Sequence, residues 1–437
     1  MAAQLGIGQI RQDSHPTRWS LPCRVAFRLC FVYFGLFCSA NTLGGFFPSI
    51  RVDDTVGLGT LWPMREITFW TATHIFGARL PLVYRGSGSD DKTFDWILTF
   101  CLLIFAVLAT GVWSVLDRRR ENYVTVYKWF RLFVRFSLAS QLFYFGIAKV
   151  IPNQMPFPRL SSLIAPLGNF STYGMLWLSV GVSPAYEIFA GCAEVLGGVL
   201  LALPRTAMLG ALVGLADMTE VWMLNMSYDV PVKLFSFHLI LLCLFLLAPD
   251  FRRLTDFSVR GRAVGPSSQP QLFNTRRANR IALCAQIMLG VWLLLMNVRI
   301  GPALWRTYGN GRPKSPLYGI WNVDELSIDG QIRSALLTDY VRWRRVVFDA
   351  PERVTFQRMD DSFANYSASI NLNDKEIALT KTGDKNWKAN FTFRRAAKDQ
   401  LTLDGNMDSR RVHMQLHLVD RDKFKLVSRS FHWIQEY

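Results

Sequence analysis

The chain has 437 residues, half of them hydrophobic and 14% aromatic, with a formal net charge of +16 at pH 7. The arginines cluster in short stretches beside apolar blocks, which is the habit of cytoplasmic membrane loops and rules against a nucleic-acid-binding face. All seven cysteines precede residue 302 and none forms a C-x-x-C pair, which argues against zinc or iron–sulfur ligation and leaves the C-terminal part without disulfides.

Residues 1–24 are polar and basic, with Arg11, Arg18 and Arg24. The apolar stretch from about Val25 to Phe47 is long for a signal peptide and lacks a clean A-x-A site, so it reads as a membrane span. Residues 60–78 are aromatic but carry Arg65 and Glu66, which places them along the membrane interface. The "RGSGSD" stretch at 85–90 has no following lysine in P-loop spacing and reads as a loop. Further spans are expected at 94–116, 132–151, 184–203, 207–227, 232–248 and 281–300. Each approaches the roughly 20 residues that cross a bilayer as a helix. Residues 156–182, rich in Pro and Gly, are expected to form a re-entrant or surface loop.

Seven spans with a cytoplasmic N-terminus place "DRRR" (117–120), Arg205 and the arginine-rich stretch from Arg252 to Arg280 on the inner side. The loop at 152–183, with one arginine, falls outside. Every strongly basic loop then shares one side, as expected of a multi-pass protein of the inner (plasma) membrane. Residues 303–437 follow an odd number of spans and fall in the periplasm or outside the cell.

These last residues read as β-structure. "VHMQLHLVD" alternates Val412, Met414, Leu416 and Leu418 against His413, Gln415 and His417. "RVTFQRM", "ANFTFRR" and "DQLTLDG" alternate similarly, with turn signals at 371–374, 382–386 and 404–408. Short strands at this spacing predict a barrel or sandwich. A Gly-x-Trp at the start (Gly319, Trp321) and an arginine near the end (Arg429) resemble lipocalin-like barrels. The resemblance implies that Trp321 packs against such an arginine and that the barrel can hold an apolar ligand. His413 and His417 are four residues apart along a strand, about 13 Å, which is too far to share one metal.

The helical part, residues 1–302, carries carboxylates where hydrocarbon is expected. Glu187 and Glu194 are two helical turns apart and share a face with Gly191 and Gly198. The next span places Gly210, Gly214 and Asp217 on one stripe, with Glu220 near it and Asn225 and Asp229 following. Glycines beside carboxylates suit a helix–helix contact and not lipid. Lys149, Lys233 and His238 are the available partners, with Lys149 and Glu187 expected to pair. Five carboxyls facing two lysines cannot all stay charged in low dielectric. Such a buried polar seam either sets helix register or handles protons or a polar head group such as a quinone. No E-x-x-H accompanies it, so no metal site of the ferritin type is expected.

"RFSLASQLFYFGIAKV" followed by "AEVLGGVLLALPRTAMLGALV" resembles the DoxX family of four-helix membrane proteins over roughly 130–250. Arg135, Gly146, Lys149, Glu194, Gly197 and Gly198 carry the likeness. It implies a four-helix core and, from the wider group, association with quinone-linked sulfur or thiol oxidation or with assembly of periplasmic redox enzymes. The expected partners are therefore the lipid bilayer, other membrane redox subunits and an apolar ligand or partner protein at the barrel. A scaffold without catalytic activity and a transporter are the competing readings, although no inverted repeat favours transport.

Overall fold

The computed structural model describes residues 18–42, 58–79, 81–85, 89–265, 271–381, 383–429 and 431–436. Arg11, the end of the first expected span (43–47) and part of the glycine-rich loop (86–88) lie outside them. The chain divides into two compact units, one of residues 1–147 and 192–299, the other of residues 148–191 and 300–437.

The first unit is helical. It contains α1 (Leu21–Asn41), α2 (Met64–His74), α3 (Thr93–Leu116), most of α4 (Val124–Val150) and most of α7 (Pro184–Ala202). It also contains α8 (Ala207–Ser227), α9 (Lys233–Leu247), α10 (Phe251–Ser258) and most of α11 (Arg276–Thr307). Six spans among the described residues are long and apolar enough to cross a bilayer: α1, α3, α7, α8, α9 with α10, and α11. The outward faces of α3 and of the middle of α11 are largely apolar, including Leu103, Ile104, Leu108 and Val112 on the former and Met288, Val291 and Leu295 on the latter. Apolar surface of this extent is stable against lipid and not against water.

The seventh long helix, α4, carries Lys128, Arg131, Arg135 and Lys149 and is correspondingly less apolar. It is also a central helix: Val134, Leu138, Ala139, Leu142 and Phe143 are buried in the main hydrophobic cluster. Arg131, Arg135 and Lys149 are buried and Lys128 is half-buried, and the helix begins at Val124, about two turns before the apolar run that marks it in the sequence. At 11 residues α2 is too short to cross, and it packs on α3 through Phe69 against Phe94 and through a Cys101–Thr71 contact.

The basic loops gather at one end of this unit. Arg24 donates to the carbonyls of Arg118 and Arg120, and the fully buried Arg28 bonds Tyr123, Ser114 and the Asp117 carbonyl. Arg131 meets Asp250, and Arg135 donates to Gln286 of α11.

In the second unit α5 (Leu160–Ile164) and α6 (Thr172–Gly181) accompany a closed antiparallel barrel. Its strands are β1 (Gly319–Ile328), β3 (Trp343–Ala350), β4 (Arg353–Arg358), β5 (Phe363–Asn371) and β6 (Glu376–Lys381). They continue with β7 (Asp384–Ala397), β8 (Gln400–Met407) and β9 (Arg410–Leu418), while the two-residue β2 (Gln331–Ile332) folds back antiparallel on the end of β1. Each strand pairs with the next, and β9 returns to β1 with Trp321 opposite Leu418. Closure leaves no unpaired edge.

Inward residues follow the expected alternation: Val412, Met414 and Leu416 are buried, and His413 and His417 point out to Asp404 and Asp324. The interior is filled by Trp321, Phe348, Phe356, Phe391 and the aliphatic residues between them. An eight-stranded barrel is just wide enough for that.

Two readings of the sequence change here. The "DGNMD" stretch is strand through Met407, and the turn is Asp408–Ser409, both at positive φ as a type I′ hairpin requires. Gly405 is there for proximity, because a Cβ would lie 2.0 Å from the Asn390 carbonyl oxygen of β7. The cation over the Trp321 ring is Arg395 of β7, at 5.7 Å, and not Arg429. β9 ends at Leu418, so Arg429 falls on the exposed tail, where it bonds Gln435. Gly319 is where a Cβ would strike Leu418 at 2.4 Å, and the Trp321 indole N–H is satisfied by the Leu317 carbonyl.

α5 covers part of the barrel's outer face. Ile320 and Val347 point outward between inward neighbours, and Leu160 packs on them and is itself buried. Gln357 donates to the Ile164 carbonyl at the end of α5 and to Asp361, and accepts from Arg345.

Candidate functional site

The site is set by how closely α7 and α8 approach. They are joined by a single turn at Pro204–Thr206 and so run antiparallel. A Cβ on Gly210 would lie 2.6 Å from the Leu201 amide nitrogen, and one on Gly197 would meet Leu142 at 3.2 Å and the Gly214 nitrogen at 3.7 Å. Leu201 thus faces Gly210 and Gly197 faces Gly214. One further step of three residues, down α7 and up α8, brings Glu194 opposite Asp217. Glu194 is 1% exposed and Asp217 is half-buried. Leu142 of α4 and Cys243 of α9 close the same level, each near Gly214. Small residues let the backbones meet, and the meeting puts two carboxyls at one depth.

A second polar group lies along the α8–α9 pair. The Asn225 amide donates to the Ser236 hydroxyl at 3.0 Å. Two residues further along α9 is the buried His238. Its Nδ1 is 2.7 Å from the Leu234 carbonyl oxygen, which can only accept, so Nδ1 carries the proton. In the neutral ring Nε2 is then the acceptor for the Tyr33 hydroxyl, also at 2.7 Å. Phe37 stacks on the imidazole with ring centroids 4.0 Å apart. α1 thereby supplies an aromatic clamp that orients the histidine inside the bundle.

Lys233, at the start of α9, sits 2.8 Å from Asp229 and 3.7 Å from Asp91. Asp91 also accepts from the Lys233 and Leu234 amides, both at 2.8 Å, and so caps the helix. Glu220 is exposed on α8 and does not join Asp217 in the interior. The sixty-degree offset between positions three apart on a helix is enough to turn it out.

In the second unit Glu187 and Lys149 are both buried, and Glu187 lies within the electrostatic field of Lys149. Glu187 also accepts from the Met155 amide at 3.0 Å. Gly181 permits this close-packed loop, since a Cβ there would fall 2.5 Å from the Pro156 carbonyl oxygen. Trp177 fastens the loop again by donating to the Gln154 carbonyl.

Tyr33, Phe37 and Asp91 escape a reading by sequence. Tyr33 and Phe37 sit in a run crowded with aromatics, and nothing in their spacing marks a histidine two hundred residues away. Asp91 does leave a trace, an acidic pair just ahead of a span, but its partner helix is remote in sequence. Among the described residues no three His, Cys, Asp or Glu side chains converge as a metal-binding group.

No family model and no solved structure matches the chain. Over 124 residues it is 35% identical to the uncharacterized protein YwoB of Bacillus subtilis (strain 168), a stretch that is 28% of this chain and 76% of that protein. The chain is a multi-pass membrane protein with a C-terminal β-barrel, and it belongs to the family of YwoB.

Proposed function

We propose that the protein is a plasma-membrane subunit of a quinone-linked redox system, of the DoxX-like kind, in which Glu194 and Asp217 handle protons. The α7–α8 register carries this reading, because it sets two carboxyls at one level of a low-dielectric bundle. Two such groups share protons more readily than they both ionise. Quinone reduction takes up electrons and protons together, and the pair supplies the protons while a partner subunit supplies the electrons. The Tyr33–His238 pair offers a hydrogen bond and aromatic surfaces to a head group.

The basic loops at one end of the helical unit support a cytoplasmic N-terminus, which puts the barrel outside, in the periplasm. The test is mass spectrometry of the lipid extract from protein purified in mild detergent, with Glu194→Gln beside the wild type. We expect quinone to co-purify with the wild type and to fall in the variant while the melting temperature is kept. Wild-type protein that retains no quinone overturns the proposal.

A second reading rests on the filled barrel interior. A barrel packed like a core leaves its outer surface for recognition, as in a scaffold that holds a partner protein. On that reading the extract is free of quinone, Glu194→Gln is silent, and changes on the outer face of the barrel abolish partner capture.

A further inference from the structure

The basic end of the helical unit contains a cleft that proton handling leaves unused. Lys128, Arg131 and Arg135 occupy successive steps of one face of α4. They line a cavity of about 550 Å³ completed by Arg205 of the α7–α8 turn and by Asn279 and Gln286 of α11. Among the described residues no carboxylate lines it, and Asp250 beside Arg131 is shared with Arg253. Arg135 is 6% exposed, and although it donates to Gln286, its Nε has no hydrogen-bond partner among the described residues. A buried guanidinium short of acceptors is a strained arrangement unless an anion completes it.

A second cavity of about 580 Å³ shares Leu132, Leu272, Ala282 and Gln286 with the first and is walled by Trp129, Phe133 and Phe136. A cationic cleft thus opens into an apolar groove at the end of a membrane bundle.

We propose that this cleft binds an anionic phospholipid, its phosphate against Arg135, Arg131, Lys128 and Arg205 and an acyl chain in the apolar groove. A soluble anion would use the cations and leave the groove bare. A quinone head group is uncharged and does not account for four cations. Basic pockets between helices at the cytoplasmic face suit acidic lipids because the phosphate meets fixed charge in reduced dielectric while the chain stays in hydrocarbon.

The test is native mass spectrometry of the full-length protein in detergent, titrated with phosphatidylglycerol and with phosphatidylcholine of identical acyl chains. Phosphatidylglycerol should bind more tightly. Lys128→Gln and Arg205→Gln change half-buried and exposed positions, and each should weaken its binding about fivefold while weakening that of phosphatidylcholine, whose choline offsets its phosphate, by less. Equal affinity for the two lipids, or variants without effect, overturns the proposal. Displacement of phosphatidylglycerol by millimolar inorganic phosphate also overturns it, by assigning the cations to a soluble anion.

Discussion

Asp91 fixes the entrance of α9 by accepting two backbone amides and facing Lys233. Asp91→Ala removes an N-terminal cap and should lower stability by about 1–2 kcal/mol, with Asp91→Asn recovering most of it, as read from thermal unfolding in detergent. Glu187 is a comparable case. Glu187→Gln keeps an acceptor for the Met155 amide, whereas Glu187→Leu strands that amide in a buried place and should cost about 1–3 kcal/mol in the same assay. Equal melting temperatures for the two variants would show that the amide finds another acceptor. The sequence announces that Glu187 and Glu194 turn inward, because a charge in an apolar run has nowhere else to go. It does not announce that a backbone amide receives Glu187, since main-chain donors leave no mark on residue type. Glu220 shows the opposite error, in which nearness to a stripe was not enough to bring a side chain inside.

At the level of elements, the α7–α8 contact depends on what is missing from the side chains. Gly210→Ala puts a methyl against the Leu201 backbone and should destabilise the bundle by about 1–3 kcal/mol. Gly111→Ala, in α3 with nothing within 4 Å of the new Cβ, should be neutral or stabilise by up to about 1 kcal/mol. Unfolding in mixed micelles compares the two, and an equal response would refute the close contact. Both helices and the glycine stripe are legible in sequence because helical periodicity fixes them. The start of α4 is not, because its first turns carry Lys128 and Arg131, the latter buried, and hydropathy counts those residues as loop. Strands were legible wherever one face was buried. The β8–β9 turn was misplaced because Asp and Gly also serve inside a strand where a neighbouring backbone passes close.

For the whole molecule, the side of the membrane occupied by the barrel can be read directly. The barrel has no cysteine of its own, and Asn373 is exposed in the β5–β6 turn. With the seven native cysteines replaced by serine, Asn373→Cys should react with a membrane-impermeant maleimide in intact spheroplasts. Reaction only after lysis would place the barrel in the cytoplasm and reverse the proposed orientation. The two-part plan, helices first and strands after, follows from the change in apolar patterning near residue 302. The membership of residues 148–191 in the barrel's unit does not, because it rests on outward-facing Ile320 and Val347, which look like ordinary surface positions in an alternating strand.

That membership has a consequence for biogenesis. The ribosome makes Leu160 more than 150 residues before it makes the strands whose outer face will shelter it. Until β1 and β3 have been made, this short helix lacks the barrel face formed by Ile320 and Val347. A nascent chain halted before β1 should therefore be the species that chaperones hold and proteases clear, while synthesis and folding of the strands remove the signal for degradation.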